Sequence, residues 1–330
     1  MSVVPADADR RRVDVRQLLA DNPALVLTFV FIAIFVATDI INRHQGQGAF
    51  LTTKQVSTTF LYAAILGLIA AGQTLVMLTG GVDLSVATTA TTGAFMVSGF
   101  GDRGAGLAIA VALAVGLGIG LVNGIGVALF RVNPLIMTLG VSTITLGLLT
   151  VYAQTSFTQL VPHFVATLGS ARFLTYIPYD LLVWAPIAAI IILGLRYSGI
   201  GRMIYAIGDN PEACRLAGVR VWQVQIFVYG MCGMLSALAG VLLVGFNDAA
   251  DLGIGAPFLL PSVAAVVIGG TSIFGGYGGY GGTILGALIL TVLDSLLVIL
   301  NASAATRQIV YGLIVLALAA LYARIISTSE

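Results

Sequence analysis

The polar side chains that lie within apolar stretches are the residues of this sequence that could do chemistry. Asp83 is one of the few acids in such a place, and it follows the Gly80-Gly81 pair that interrupts an apolar run. An aspartate at the start of a helix can accept backbone N–H bonds, which lowers the cost of its charge in an apolar environment. Asp83 is therefore expected either to cap the next helix or to contact a substrate directly.

A row of hydroxyl groups follows Asp83. Ser85, Thr88, Thr89 and Thr92 are offset by 0, 3, 4 and 7 residues, which places them on one face of a helix. Because hydroxyl groups gain little from contact with lipid, this face is expected to meet protein or a water-filled path. Helix packing and substrate passage both stay open, since Ser and Thr often join helices through hydrogen bonds.

A second polar row is expected within 283–301, where Thr291, Asp294 and Asn301 are spaced by 3 and then 7 residues. An acid in the middle of an apolar run is costly, and it usually faces the interior of a helix bundle or a cavity. Asp294 is expected to be either a neutral group that hydrogen-bonds a neighbour or a part of a substrate path. Gln73 and Asn123 are weaker candidates of the same kind.

No arrangement of residues typical of catalysis stands out. The sequence shows no nucleophile–base pair, no paired carboxylates and no cluster with metal-ligand spacing, so we predict neither catalytic residues nor a metal site. It also lacks the G-x-x-x-x-G-K-[ST] motif that holds ATP phosphates, so this chain is expected to bind no cofactor of its own.

Apolar helices must position these residues. The chain of 330 residues is 58% hydrophobic and 9% charged, against roughly a quarter charged in a typical soluble domain. A net charge of +1 also excludes a nucleic-acid binder that relies on a basic surface. We predict an all-α polytopic membrane protein with about ten transmembrane helices, some broken by glycine. The expected spans are 24–41, 57–79, 85–99, 105–130, 134–152, 180–196, 221–246, 258–274, 282–300 and 307–325.

A single transmembrane domain is expected at 24–325, between a cytoplasmic tail at 1–23 and a short tail at 326–330. If both ends lie inside, the inner segments hold ten of the 15 basic residues, as the positive-inside rule requires. The chain is therefore expected to be N-in and C-in. Only two loops are long: 153–179 on the outer side and 197–220 on the inner side.

The inner loop 197–220 has the pattern of a short capped helix. Its Asp-Asn pair can cap a helix start, the following proline suits the first helical position, and a glutamate then lies near the positive end of the dipole. An arginine three residues later can pair with the glutamate, and a glycine can end the helix. We predict a helix at 211–217, defined by Asp209, Asn210, Pro211, Glu212, Arg215 and Gly218.

Three long motifs occur along the chain. They are GQTLVMLTGGVDLSVATTA at 72–90, GRMIYAIGDNPEACRLAGVRV at 201–221 and SVAAVVIGGTSIFGGYGGYGGTILGALIL at 262–290. With NPLIMTLGV at 133–141, they resemble the permeases of sugar-importing ATP-binding-cassette transporters, the ribose-permease family, over most of 55–325. One departure is Pro-Phe-Leu-Leu-Pro at 257–261, where many members carry an acidic E-L-D nearby, which leaves the substrate open.

The resemblance implies a non-enzymatic permease subunit, paired with a second copy or a paralogue in the bacterial inner membrane. A periplasmic binding protein would deliver a sugar or related polyol. Two ATPase subunits, or one tandem ATPase, would bind ATP and Mg and drive transport. The motif at 201–221 is similar to the family's cytoplasmic coupling loop, so the helix at 211–217 would contact the ATPase.

Two other functions are compatible with the residues alone. An ion-coupled secondary carrier of a small polar solute would use Asp83 or Asp294 as its proton or cation site. A channel would pass a solute passively and without partners. Neither of these alternatives needs a capped inner helix, which favours the importer permease.

Glycine breaks near both ends of the chain suggest internal repeats. Gly80-Gly81 forms one break, and Gly269-Gly270 with Gly275-Gly276 through Gly282 forms the other. Paired breaks of this kind surround the transport path in many carriers. If spans 2–5 match spans 7–10, the offset of five spans makes the two halves inverted. Close packing of helices through small residues is the competing explanation.

Overall fold

The structure, a computed structural model, describes residues 23–46, 48–155, 159–173 and 177–327 of the chain. Within these ranges most residues are helical, and one short hairpin pairs Arg172–Phe173 with Ile177–Pro178. The predicted all-α fold class is confirmed. Most of the expected tail at 1–23, and the last residues of the tail at 326–330, lie outside the described residues.

Each of the ten expected spans overlaps a helix. The helices of the described residues are α1 (Pro23–His44), α2 (Thr53–Leu78), α3 (Val86–Gly99), α4 (Ala105–Ala128), α5 (Pro134–Thr155), α6 (His163–Ser170), α7 (Tyr179–Tyr197), α8 (Gly199–Asp209), α9 (Pro211–Leu216), α10 (Val221–Asn247), α11 (Leu259–Ile268), α12 (Tyr280–Ile299) and α13 (Ala304–Ser327). Seven of them, α1, α2, α4, α5, α7, α10 and α12, are long and apolar enough to cross a bilayer. The total of ten spans stays a prediction.

Helices α3 and α11 are too short to cross a bilayer. They have 14 and 10 residues, which correspond to about 21 and 15 Å of helix against a hydrocarbon core of about 30 Å. The span expected at 258–274 is α-helical only from Leu259 to Ile268. Gly269 and Gly270 end it, and Gly270 has a φ of +83°, a conformation that glycine adopts without strain.

Helix α10 lies at the centre of the bundle and packs against α2, α3 and α4. Its contact with α4 is made through Gly116, Gly120 and Gly124, which recur every fourth residue on one face of α4. A side chain on Gly120 would collide with the carbonyl oxygen of Tyr229 on α10. The two backbones thus approach closely, which is how helices gain packing energy in a membrane.

The chain between α10 and α11 returns into the bundle instead of staying at its end. The backbone amide of Gly255 donates to the Thr91 Oγ1 at 3.2 Å, and a side chain on Gly255 would collide with the carbonyl oxygen of Ala87. Both partners lie in the first half of α3. Irregular backbone at this depth must be buried in protein or line a cavity, because lipid cannot satisfy its hydrogen bonds.

The two groups of helices proposed as repeats have the same order of lengths. Helices α2 to α5 and α10 to α13 each consist of one long, one short and two long helices, which is compatible with an inverted repeat. The glycine breaks, however, do not occupy corresponding places. Gly80-Gly81 follows the first helix of its group, whereas Gly269-Gly270 follows the second. The interpretation of these breaks as mirrored positions was wrong.

Candidate functional site

The inner segment between α7 and α10 forms two short helices, of which the sequence predicted one. The predicted helix is α9, and Asn210 caps it, since its Oδ1 accepts hydrogen bonds from the amides of Glu212 at 3.1 Å and Ala213 at 2.9 Å. Asp209, the other candidate cap, is the last residue of α8. Pro211 takes the first helical position, where its missing N–H costs nothing.

The end of α9 has the predicted glycine. Gly218 has a φ of +83°, and the next amide, of Val219, returns to the carbonyl oxygen of Cys214 at 2.9 Å. Cys214 is buried against the bundle, whereas Leu216 is 84% exposed. Helix α9 is thus anchored on one side and presents an isolated large apolar side chain on the other.

Glu212 and Arg215 form the predicted pair on the surface of α9. The Arg215 Nη1 donates to the Glu212 Oε2 at 2.9 Å, and both side chains are largely exposed. An exposed pair of this kind contributes at most about 1 kcal/mol to stability. Its charges therefore stay available to a partner.

Helix α8 joins α9 to the two glycine breaks. A side chain on Gly208, near the end of α8, would collide with the carbonyl oxygen of Leu78 and the amide of Gly276. The Gly276 amide itself donates to the Leu78 carbonyl at 3.1 Å, and a side chain on Gly275 would lie 2.9 Å from the amide nitrogen of Gly80. We call Leu78, Gly80, Gly208, Gly275 and Gly276 the glycine junction.

Asp83 lies in a buried polar cluster rather than at a helix cap. Its Oδ1 accepts from the amide of Ser85 at 2.8 Å and from the Ser85 Oγ at 2.6 Å. Asn123 on α4 in turn donates to the Ser85 Oγ at 2.8 Å. Helix α3 begins only at Val86, and Ser85 makes no side-chain cap bond. The prediction that Asp83 caps α3 was therefore wrong in its geometry, although Asp83 does bind a backbone amide.

The predicted hydroxyl row faces protein. Thr89 is fully buried and its Oγ1 donates to the Ser85 carbonyl at 2.8 Å, while Thr92 donates to the Thr88 carbonyl at 2.8 Å. The Thr88 hydroxyl also meets the Ser142 hydroxyl of α5 at 2.9 Å. The Thr88–Ser142 bond joins α3 to α5, whereas the other two are local to α3. A direct role of the row in substrate passage stays a prediction.

A cavity of about 700 Å³ opens at the end of the bundle where α2 and α13 begin and where α10 and α12 end. Along α2 it extends from Gln55 to Leu66, or about 16 Å by the rise of a helix. The returning segment before α11 lines it with Gly253, Pro257 and Phe258. The cavity therefore reaches from one end of the bundle into its middle.

Two of the predicted path residues, Thr291 and Asp294, line this cavity. Asp294 is held by two residues of α13: the Arg307 Nη1 donates to both carboxylate oxygens, at 2.9 and 3.0 Å, and the Tyr311 hydroxyl donates to the Oδ1 at 2.5 Å. Asp294 is therefore ion-paired, so the expectation of a neutral group was wrong. The Nε of Arg307 is buried and has no hydrogen-bond partner within the described residues.

The remaining predicted residues lie outside the lining of this cavity. Gln73 is fully buried on α2, and both polar atoms of its side chain lack hydrogen-bond partners within the described residues. Asn301 lies beyond the end of α12, where its φ of +56° helps to end the helix. It is therefore not on one helix face with Thr291 and Asp294, contrary to the prediction.

Sequence reasoning missed most of the cavity. Arg307 was counted only as an outer basic residue, and Tyr62, Phe258 and Tyr311 were not singled out, although all four line the cavity. Aromatic residues in apolar spans give no signal that separates a cavity wall from a core. Helix α8 was also missed, although Ser198, which caps it through the amide of Gly201 at 2.9 Å, was a visible start signal.

The fold and these sites define a helical membrane permease, and comparison with known proteins identifies its family. Residues 55–319 match the family described as "Branched-chain amino acid transport system / permease component". The chain belongs to this family. No solved structure matches the chain.

Several relatives are sugar import permeases. The chain is 36% identical over 317 residues to the ribose import permease protein RbsC of Escherichia coli strain K12. This alignment covers 93% of this chain and 94% of the relative. It is 34% identical over 289 residues to the RbsC of Bacillus subtilis strain 168, covering 87% and 89% of the two chains. It is 31% identical over 315 residues to the fructose import permease protein FrcC of Rhizobium meliloti, covering 91% and 85%.

Proposed function

We propose that this chain is the transmembrane permease subunit of an ATP-driven sugar importer. The observation that carries the proposal is helix α9, a capped helix that is anchored at Cys214 and exposes Leu216 at the end of the bundle opposite to the cavity. Together with the family membership and the sugar import permeases among its relatives, this points to a subunit that receives energy at one end and a solute at the other.

An ATP-driven importer requires ATPase subunits, a complete transmembrane path and a source of solute, and these requirements define the proposed partners. Two ATPase subunits, or one tandem ATPase, bind ATP and Mg and contact the α9 helices. A second copy of this chain or a paralogue completes the path, and a periplasmic binding protein delivers the sugar. The protein resides in the bacterial inner membrane with both termini inside, an orientation supported by ten of the 15 basic residues.

The glycine junction gives α9 a direct mechanical connection to the membrane helices. Helix α9 follows α8 at Asn210, and Gly208 of α8 touches the backbone at Leu78, where α2 ends, and at Gly276, before α12 begins. A displacement of α9 by the ATPase would therefore move the inner ends of α2 and α12. Both helices also line the cavity, so the displacement changes access to it.

An ion-coupled carrier is the alternative function, and the ion pair at Asp294 disfavours this residue as its proton or cation site. A carboxylate that exchanges a proton or a cation during transport must be free to lose its partner. Asp294 instead accepts hydrogen bonds from the guanidinium group of Arg307 and from the hydroxyl group of Tyr311. The carrier would take up solute in vesicles that contain this chain alone, driven by an ion gradient and indifferent to ATP.

Charge reversal on α9 tests the proposed function. We expect Arg215→Glu or Glu212→Lys to reduce ATP-dependent uptake at least tenfold in cells that express the complete transporter, because either change places like charges on the partner surface of α9. Membrane abundance of the chain should not change, since the pair contributes little to stability. Arg43→Glu breaks the Asp39–Arg43 pair of α1, in which Arg43 is exposed and Asp39 is buried, and is the control. Normal uptake in both α9 variants would refute the coupling role.

A further inference from the structure

The cavity between α2, α10, α12 and α13 has the composition of a binding site rather than of a packing defect. Its wall carries amide, hydroxyl and charged side chains, and the irregular segment before α11 forms part of its lining. Binding pockets typically combine an apolar lining with a few well-placed polar groups. In membrane proteins, irregular backbone beside a cavity often marks the substrate site.

The polar wall offers both donors and acceptors. Asp294 and Thr291 on α12 supply acceptor oxygens, and the guanidinium group of Arg307 on α13 supplies donors. Gln308 adds an amide, which can donate and accept. A ligand that carries several hydroxyl groups can satisfy such a wall, because each hydroxyl group donates one hydrogen bond and accepts others.

Aromatic rings add apolar surface to the same cavity. Tyr62 of α2 lines the cavity and is held edge-on against Phe246 of α10, with ring centroids 5.5 Å apart. Phe258 contributes a second ring from the segment before α11. Flat apolar surfaces together with polar groups suit a ligand that has one face of C–H groups and a rim of hydroxyl groups.

The charges of the cavity disfavour a ligand that carries a carboxylate. Arg307 and Asp294 neutralise each other, and the carboxylate of Asp251 accepts the amide of Gly253 at 2.8 Å. An amino acid carries a separate ammonium and carboxylate group, and each would need an unpaired opposite charge when it leaves water. No second cation lines the described cavity to receive the carboxylate.

We propose that this cavity is the outward-facing binding site of the permease for a neutral polyhydroxyl compound, with Asp294 and Arg307 as its hydrogen-bonding wall. The inference rests on the proposed function and adds the site within the chain. Gln73 lies seven residues beyond Leu66 on the same face of α2, about 10 Å further inward. Its two unpartnered polar atoms provide the next contact for a ligand that leaves the cavity.

Protection of an introduced cysteine tests the site without the binding protein. Thr58 lines the cavity, whereas Cys214 and Cys232 are buried and give little background. The Thr58→Cys chain, purified with its ATPase partners in lipid nanodiscs, is labelled with a soluble maleimide at increasing concentrations of D-ribose or D-fructose. We expect at least one of the sugars to slow labelling, and equal concentrations of L-leucine to have no effect.

Substitutions of the polar wall complete the test. In the Thr58→Cys background, Asp294→Asn should raise the protecting sugar concentration at least tenfold, and Arg307→Gln should do the same. Arg43→Gln, which breaks the other outer ion pair at a residue that does not line the cavity, should leave it unchanged. ATP hydrolysis of each complex is measured alongside, so that a variant that has lost its fold is recognised. Arg307→Gln and Asp294→Asn remove the two partners of one ion pair, so the proposal expects the same direction of change from both.

The outcomes separate the site from the function. Sugar uptake by the unmodified transporter together with no protection of Thr58→Cys, or with unchanged protection in both wall variants, overturns the site alone. Protection by L-leucine at least as strong as that by the sugars overturns the neutral ligand. Absence of any sugar uptake by the unmodified transporter overturns the function and the site together.

Discussion

Single residues decide how helix α9 is held in place. The helix has six residues, fewer than two turns, so its own backbone hydrogen bonds contribute little and its ends matter most. The Asn210 side chain accepts two amides at one end, and Gly218 permits the tight turn at the other. These positions were predictable because capping chemistry is local and is determined by adjacent residues.

Replacement of the cap should loosen α9 measurably. Asn210→Ala removes both accepted hydrogen bonds, which typically costs about 1 kcal/mol, or about a fivefold increase in local opening. We expect hydrogen exchange at the amides of Glu212 and Ala213 to accelerate by about that factor and ATP-dependent uptake to fall. Asn210→Asp keeps an acceptor and should resemble the unmodified chain. Equal exchange rates in the Ala and Asp variants would contradict the capping role.

The partners of a polar residue were harder to predict than the residue itself. Asp294 was identified from the sequence because an acid inside an apolar run is rare. Its partners, Arg307 and Tyr311, are 13 and 17 residues away, across the connection between two helices. A helical repeat predicts which residues share a face, but not which face of the next helix meets it. The same reason explains why the cavity was not predicted.

At the scale of elements, glycine determines how closely the helices pack. The existence of nearly every helix was predictable from apolar runs and their boundaries, whereas the closeness of α4 and α10 depends on which glycines face a neighbour. Gly116, Gly120 and Gly124 do, but Gly118 has open space where a side chain would be. The sequence GLGIG at 116–120 does not distinguish these roles.

A matched pair of substitutions separates these roles. Gly120→Ala places a methyl group against the Tyr229 carbonyl, so α4 must move away from α10, and we expect a loss of about 1–3 kcal/mol in the free energy of unfolding. Gly118→Ala adds the same methyl group in open space and should be neutral or slightly stabilising, because alanine favours a helix over glycine. Unfolding of both purified variants in detergent provides the measurement. A similar loss in both variants would contradict the close backbone contact between α4 and α10.

At the scale of the whole molecule, the two functional regions lie at opposite ends. The cavity opens where α2 begins, and α9 and the glycine junction lie where α2 ends. The composition predicted a membrane protein, and the charge distribution predicted which end faces the cytoplasm. The separation of the proposed solute site from the proposed ATPase contact emerges only when the helices are assembled.

Accessibility from the two sides of the membrane tests this arrangement. Lys54 lies near the start of α2 and Leu216 on α9, and both side chains are exposed. We expect the Lys54→Cys chain to react with an impermeant maleimide in intact spheroplasts, and the Leu216→Cys chain to react only in inside-out vesicles. The unsubstituted chain should react weakly in both, because its two cysteines are buried. The reverse pattern would invert the proposed orientation.

The glycine junction has a consequence for how force travels through the protein. Where two helices meet through long side chains, part of a displacement is absorbed as those side chains change rotamer. At Gly208 the contact with Leu78 and Gly276 is made by backbone atoms alone, so there are no rotamers to absorb a push from α9. Such a contact can pass a displacement of α9 to the inner ends of α2 and α12 without any side chain at Gly208 having to rearrange.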